Sequence, residues 1–124
     1  MELKIIQTKK DIIAADPSEK FVHLTFRPSL KDILELMNRM PELRLLELAK
    51  SYNKTVSKSL IEIFKMKNIV LIEASVWGHR TDIEEYIIIP TKKILELSQS
   101  GKSVKNIAFE TKIDEAMIEY VLKD

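Results

Sequence analysis

Five side chains able to hold an anion stand a few residues past successive apolar runs: Arg27, Lys50, Tyr52, His79 and Arg80. Guanidinium and ammonium groups supply fixed charge, and a phenol or imidazole donates hydrogen bonds, which together suit a phosphate or carboxylate. The most unusual stretch is VWGHRTD, where Trp77, the only tryptophan, meets Gly78, one of two glycines, and the titratable His79. His79 could act as an acid or base near neutral pH, and could equally cap a helix or bond a carbonyl. No second histidine, cysteine or acidic pair stands at the spacing of a metal site or nucleophile relay, and Gly-rich phosphate loops, GxSxG and HExxH are absent. Accordingly no catalytic residue, metal ligand or cofactor is assigned. A non-catalytic reading leads, and the alternative is a small enzyme or small-anion carrier working through the Trp77–Arg80 loop. His23, within FVHLTF, reads as a partly buried strand residue, and Met37, Met40 and Met66 read as filler along apolar helix faces.

The elements that would gather those five residues follow from the apolar pattern. Leu3–Gln7, Phe21–Phe26, Leu43–Leu48 and Ile69–Val76 are rich in strand formers, and the last three are nearly continuous in apolar residues, as strands buried on both faces tend to be. Between them Ile33, Leu34, Leu36, Met37 and Met40 trace one helical stripe, and Val56, Leu60, Ile61 and Phe64 another. Thr8 with Asp11, Ser29 with Asp32, and Thr81 with Glu84 have capping-box spacing. Alternation of this kind predicts right-handed crossovers and a four-stranded parallel sheet. A parallel sheet would bring all the strand exits, and the five residues with them, to one edge. The strand starts drift in spacing from 18 to 22 to 26 residues. A short leucine-rich solenoid is the other arrangement they permit, although a true repeat keeps its period.

Past Glu85 the pattern changes. Tyr86–Ile89 is a last edge strand or a connector, ended by Pro90. Three short helices are expected next: Thr91–Ser100, stopped by Gly101; Val104–Glu110, opened by Ser103; and a last one opened by Asp114. The organisation is thus an α/β layer over 1–89 and a helical tail over 90–124. The segment GKSVKNIAFETKIDEAMIEYVL resembles a helix-turn-helix of bacterial and archaeal regulators. The resemblance implies that Ile107 and Ile113 close the bend, that Ala108 lies where the helices nearly touch, and that Ile118 and Val121 face inward. Ile94, Leu95 and Leu97 would supply the preceding helix. Two features depart from the pattern: Lys112 stands at the turn position that usually carries glycine, and the would-be recognition helix carries Asp114, Glu115 and Glu119. Carboxylates facing phosphates are repelled, so DNA binding through Lys102, Lys105 and Lys112 is expected to be weak. The tail would otherwise bind a protein, and Tyr120 with the apolar face of the last helix offers a route to a homodimer.

Charge supports that balance. The chain carries 20 basic and 19 acidic residues, and over 91–124 six lysines (92, 93, 102, 105, 112, 123) meet six acids (96, 110, 114, 115, 119, 124). A tract that would mark a nucleic-acid binder is missing. At 45% hydrophobic and 31% charged residues, the chain can bury a core and stay in solution. There is no cysteine, no signal-peptide pattern and no apolar run near the ~20 residues of a membrane span, so the expected location is the cytoplasm, away from membranes. Finally, the opening KIIQTKKDIIAADPSEKFVHLTFRPS and the later VWGHRTDIEEY resemble an archaeal, methanogen-type family of uncharacterised proteins over most of the first 90 residues. That resemblance implies no assigned activity and no catalytic residues.

Overall fold

The computed structural model describes residues 1–49, 57–73 and 85–123. They fall into two compact units, Glu2–Ile87 and a second made of Ile88–Asp124 with Met1. In chain order the first unit contains β1 (Glu2–Ile6), α1 (Lys9–Ala14), β2 (Phe21–Leu24), α2 (Leu30–Arg39), β3 (Leu45–Leu48), α3 (Lys58–Met66) and β4 (Val70–Glu73). Next comes β5 (Tyr86–Ile88), and then α4 (Thr91–Gln99), α5 (Val104–Thr111) and α6 (Glu115–Leu122).

The strands form one sheet in the order β4-β3-β2-β1-β5. The pairs β1–β2, β2–β3 and β3–β4 are all parallel, as the alternation predicts. The four-strand expectation needs one correction, because Tyr86–Ile88 is a fifth strand beside β1. Ile5 N–H donates to the Glu85 carbonyl at 2.9 Å, and Met1 and Ile89 exchange N–H···O bonds of 3.3 and 2.7 Å in both directions. A reciprocal exchange marks an antiparallel pair. Three residues carry too little pattern to announce that pairing in a sequence.

Strand order decides where the helices go. From β1 to β4 each new strand is laid on the same side of the last, so right-handed crossovers put α1, α2 and α3 on one face. Their apolar stripes confirm it: Ile12, Ile33, Leu36, Met37, Leu60 and Phe64 share a buried cluster with Ile6, Val22, Leu24, Leu46 and Leu48. Those strand residues lie in register, Ile6 beside Leu24 beside Leu48 and Val22 beside Leu46. Burying one such side chain stabilises by about 1.5–3 kcal/mol. A monotonic order is what a solenoid would show as well, but the antiparallel return of β5 belongs to a sheet.

Local chemistry sets the helix limits. Thr8 and Ser29 each accept a bond from the backbone N–H of Asp11 and Asp32, whose carboxylates accept in return from the cap backbone, giving two complete capping boxes. Pro41 ends α2, and Met40 ahead of it leaves the helical region at ψ 77°. Ser57 caps α3, and Asn68, at φ 57°, turns the chain into β4. The expected cap at Thr81 and Glu84 lies outside the described residues.

In the second unit α4, α5 and α6 pack on one another. Its buried side chains include Ile94, Ile107, Met117 and Ile118. Ile107 and Ile118 stand where the sequence places them; Ala108, Ile113, Val121 and Leu97 are half-buried. Leu95 is 42% exposed and does not serve the core, whereas Met117, one position before Ile118, does. Among the described residues no helix is long and apolar enough to cross a membrane.

Candidate functional site

Parallel pairing sends the exits of β1 to β4 to one edge of the sheet. Of the five expected anion ligands, Arg27 lies there, exposed, three residues beyond the end of β2. Lys50, Tyr52, His79 and Arg80 lie outside the described residues, as does the rest of VWGHRTD. The edge also holds two helix N-termini, and both are served from within the chain. The Asp11 carboxylate accepts from Gln7 N and Thr8 N at 3.1 Å each, and the Asp32 carboxylate accepts from Ser29 N at 2.9 Å. Lys9 Nζ stands 3.6 Å from Asp32 Oδ1. Burial pushes the Asp32 carboxyl upward, but the Ser29 hydrogen bonds and the Lys9 charge outweigh it and hold the group below the ordinary carboxylate range. Among the described strands β1–β4 the order never reverses, so no topological switch point falls between them.

The other face of the sheet holds a polar pair that sequence reasoning missed. The register sets Ile5, His23, Glu47 and Ile72 side by side. His23 is 2% exposed and Glu47 5%, and His23 Nδ1 lies 2.7 Å from Glu47 Oε1. Leu3, Ile5, Leu45 and Ile72, buried on the same face, leave the pair in apolar surroundings. A hydrogen bond of that length, sealed from solvent, joins two adjacent strands and fixes their register. The available signal was the lone acid in LLEL: a carboxylate inside a buried strand requires a partner. A second cross-link ties β5 to the turn before β2. Tyr86 OH donates to Glu19 Oε1 at 2.6 Å, and the Lys4 ammonium stands 5.0 Å from the Tyr86 ring centre. The acceptor Glu19, with burial, pushes the Tyr86 phenol up to about 12.

The unit carrying these features coincides with a known sequence family. The N-terminal domain model of a family of unknown function, DUF1699, matches residues 2–85, about two thirds of the chain. The chain belongs to that family. No match to a curated protein or to a solved structure was found. The matched DUF1699 residues contain the whole parallel sheet, the His23–Glu47 pair and both capping boxes.

Beyond the match lies the three-helix tail. Ser103 caps α5 by accepting from Asn106 N at 3.2 Å, and the chain leaves α5 through Lys112 in the left-handed conformation, φ 59° and ψ 31°. Thr111, the residue before it, bonds its hydroxyl back to the Ile107 carbonyl at 2.7 Å. Of the three lysines named for DNA, Lys102 forms an ion pair with Glu110 on α5, while Lys105 and Lys112 are exposed. On α6 the exposed residues include Glu115 and Glu119.

Proposed function

We propose that the protein is a cytoplasmic, non-catalytic regulator or adaptor whose helix-turn-helix-like tail docks on a protein, while the exit edge of the parallel strands holds a small anion. The observation that carries the first part is the bend between α5 and α6. Lys112 adopts the left-handed turn that such a motif requires, while the helix after it exposes carboxylates. A helix-turn-helix bend with an acidic second helix suits a basic or apolar protein surface better than phosphates. The buried His23–Glu47 pair, which links two neighbouring strands, fits a structural task.

Fluorescence anisotropy with labelled duplex DNA tests the partner class. Binding is expected to be weak and to fall steeply with salt, the slope of log affinity against log salt growing by about 0.9 per neutralised phosphate. A tight complex at physiological salt would overturn the protein-docking reading. The anion part rests on strand direction and on Arg27, Lys50, Tyr52, His79 and Arg80. Phosphate should raise the melting temperature of the wild type and leave Arg80→Ala unaffected. A wild type indifferent to phosphate, sulfate and phosphorylated metabolites would remove that part alone.

A further inference from the structure

The outer side of α2 carries two columns of side chains. Leu30, Leu34 and Asn38 form one and Lys31, Glu35 and Arg39 the other, each at a spacing of four. With Pro17 they line an open groove of about 760 Å³. Leu30 is 55% and Leu34 44% exposed, although both sit on a helix whose opposite side is fully packed. Their neighbours in the second column alternate in sign, Lys31 positive, Glu35 negative, Arg39 positive, and Arg39 Nε lies 3.7 Å from Glu35 Oε1 in the same helix.

We propose that this face pairs with the same face of a second copy of the chain, the two α2 helices lying antiparallel about a two-fold axis. In such an interface residue i meets residue j of the other copy and j meets i, so every contacting pair must be centred on the axis. The pair Leu30 and Leu34 is centred at position 32, and the pair Lys31 and Glu35 at position 33. One residue is about 1.5 Å of helix. The two centres differ by that one residue, so an axis midway between them brings Leu30 near Leu34 of the second copy and Lys31 near Glu35 of the second copy, each contact made twice. An apolar pair and an ionic pair centred within one residue of each other make the surface complementary to itself. An arbitrary partner would have to supply the same order of groups reversed.

Sedimentation velocity across a concentration series tests it. The wild type should dimerise. Lys31→Glu and Glu35→Lys should each weaken the dimer by about tenfold or more, because each sets like charges against one another twice. The double variant Lys31→Glu/Glu35→Lys should recover it, since the exchange restores both ionic pairs. Leu34→Asp should abolish it. These are surface positions, and circular dichroism checks that each variant keeps its helices. A wild type that stays monomeric to about 1 mM overturns the proposal. So do single variants that dimerise like the wild type, or a double variant that fails to recover.

Discussion

The parallel layer and the helical tail are held together by different means. In Glu2–Ile87, apolar burial is supplemented by polar locks: His23–Glu47 between neighbouring strands, complete capping boxes on α1 and α2, and Tyr86 bonded to Glu19. The tail buries Ile94, Ile107, Met117 and Ile118. Two of its three helices start at Pro90 and Asp114 without a side-chain cap bond, and its bend places a lysine where the backbone favours glycine. The contrast separates a region whose register is fixed by directional bonds from one shaped by short helices around a few aliphatic side chains. The first is a frame with directional cross-links; the second rests on apolar packing, with Ser103 capping one of its helices.

The largest test of that contrast falls on the buried pair. Glu47→Ala leaves a buried imidazole without its hydrogen-bond partner and should lower stability by about 1–3 kcal/mol in urea denaturation. Replacing both His23 and Glu47 by leucine should recover most of the loss, because an apolar pair needs no partner. A Glu47→Ala variant as stable as the wild type would mean that the pair contributes nothing to the frame.

A smaller effect is expected at Asp32. Asp32→Ala removes the carboxylate half of the α2 capping box, leaves the Ser29 hydroxyl cap in place, and should cost about 1 kcal/mol at neutral pH. Because its carboxyl is held below the ordinary range, the ionised form is favoured by folding. Its contribution is therefore full above the unfolded value of about 4 and fades as pH falls through the lower folded value. The gap between wild type and variant should narrow in strong acid. A gap of constant size from pH 7 to pH 2 would show that the charge is not its source.

The smallest effect belongs to the tail and has the opposite sign. Lys112→Gly relieves a left-handed lysine and should stabilise the bend by about 0.5–1 kcal/mol. Slower amide exchange over Ile107–Ile118 would report it. Exchange that speeds up would show that the lysine side chain holds the turn.

These differences also explain what could be read in the sequence. Thr8–Asp11 and Ser29–Asp32 were legible because a capping box is completed within four residues. Parallel pairing of β1 to β4 followed from alternation, which constrains neighbours in the chain. Glu47 as the partner of His23 was not legible, since two residues 24 apart meet only once the register of β2 and β3 is known. Leu95 and Met117 exchanged roles because, in helices of nine and eight residues, a small rotation decides which side chain turns inward. Four of the five expected anion ligands lie outside the described residues, so that site rests on strand direction and on Arg27.

The strand order also fixes the sequence in which the sheet can be made during synthesis. From β1 to β4 each strand lands beside the one before it, so the layer can grow as the chain leaves the ribosome. The far edge of β1 is the exception, because its neighbour β5 is encoded some eighty residues later. At about 5–20 residues per second, that edge stands open for several seconds with its backbone groups unpaired. The chain's first strand is thus the last to be covered, and a nascent chain stalled before Tyr86 would present it to any passing strand.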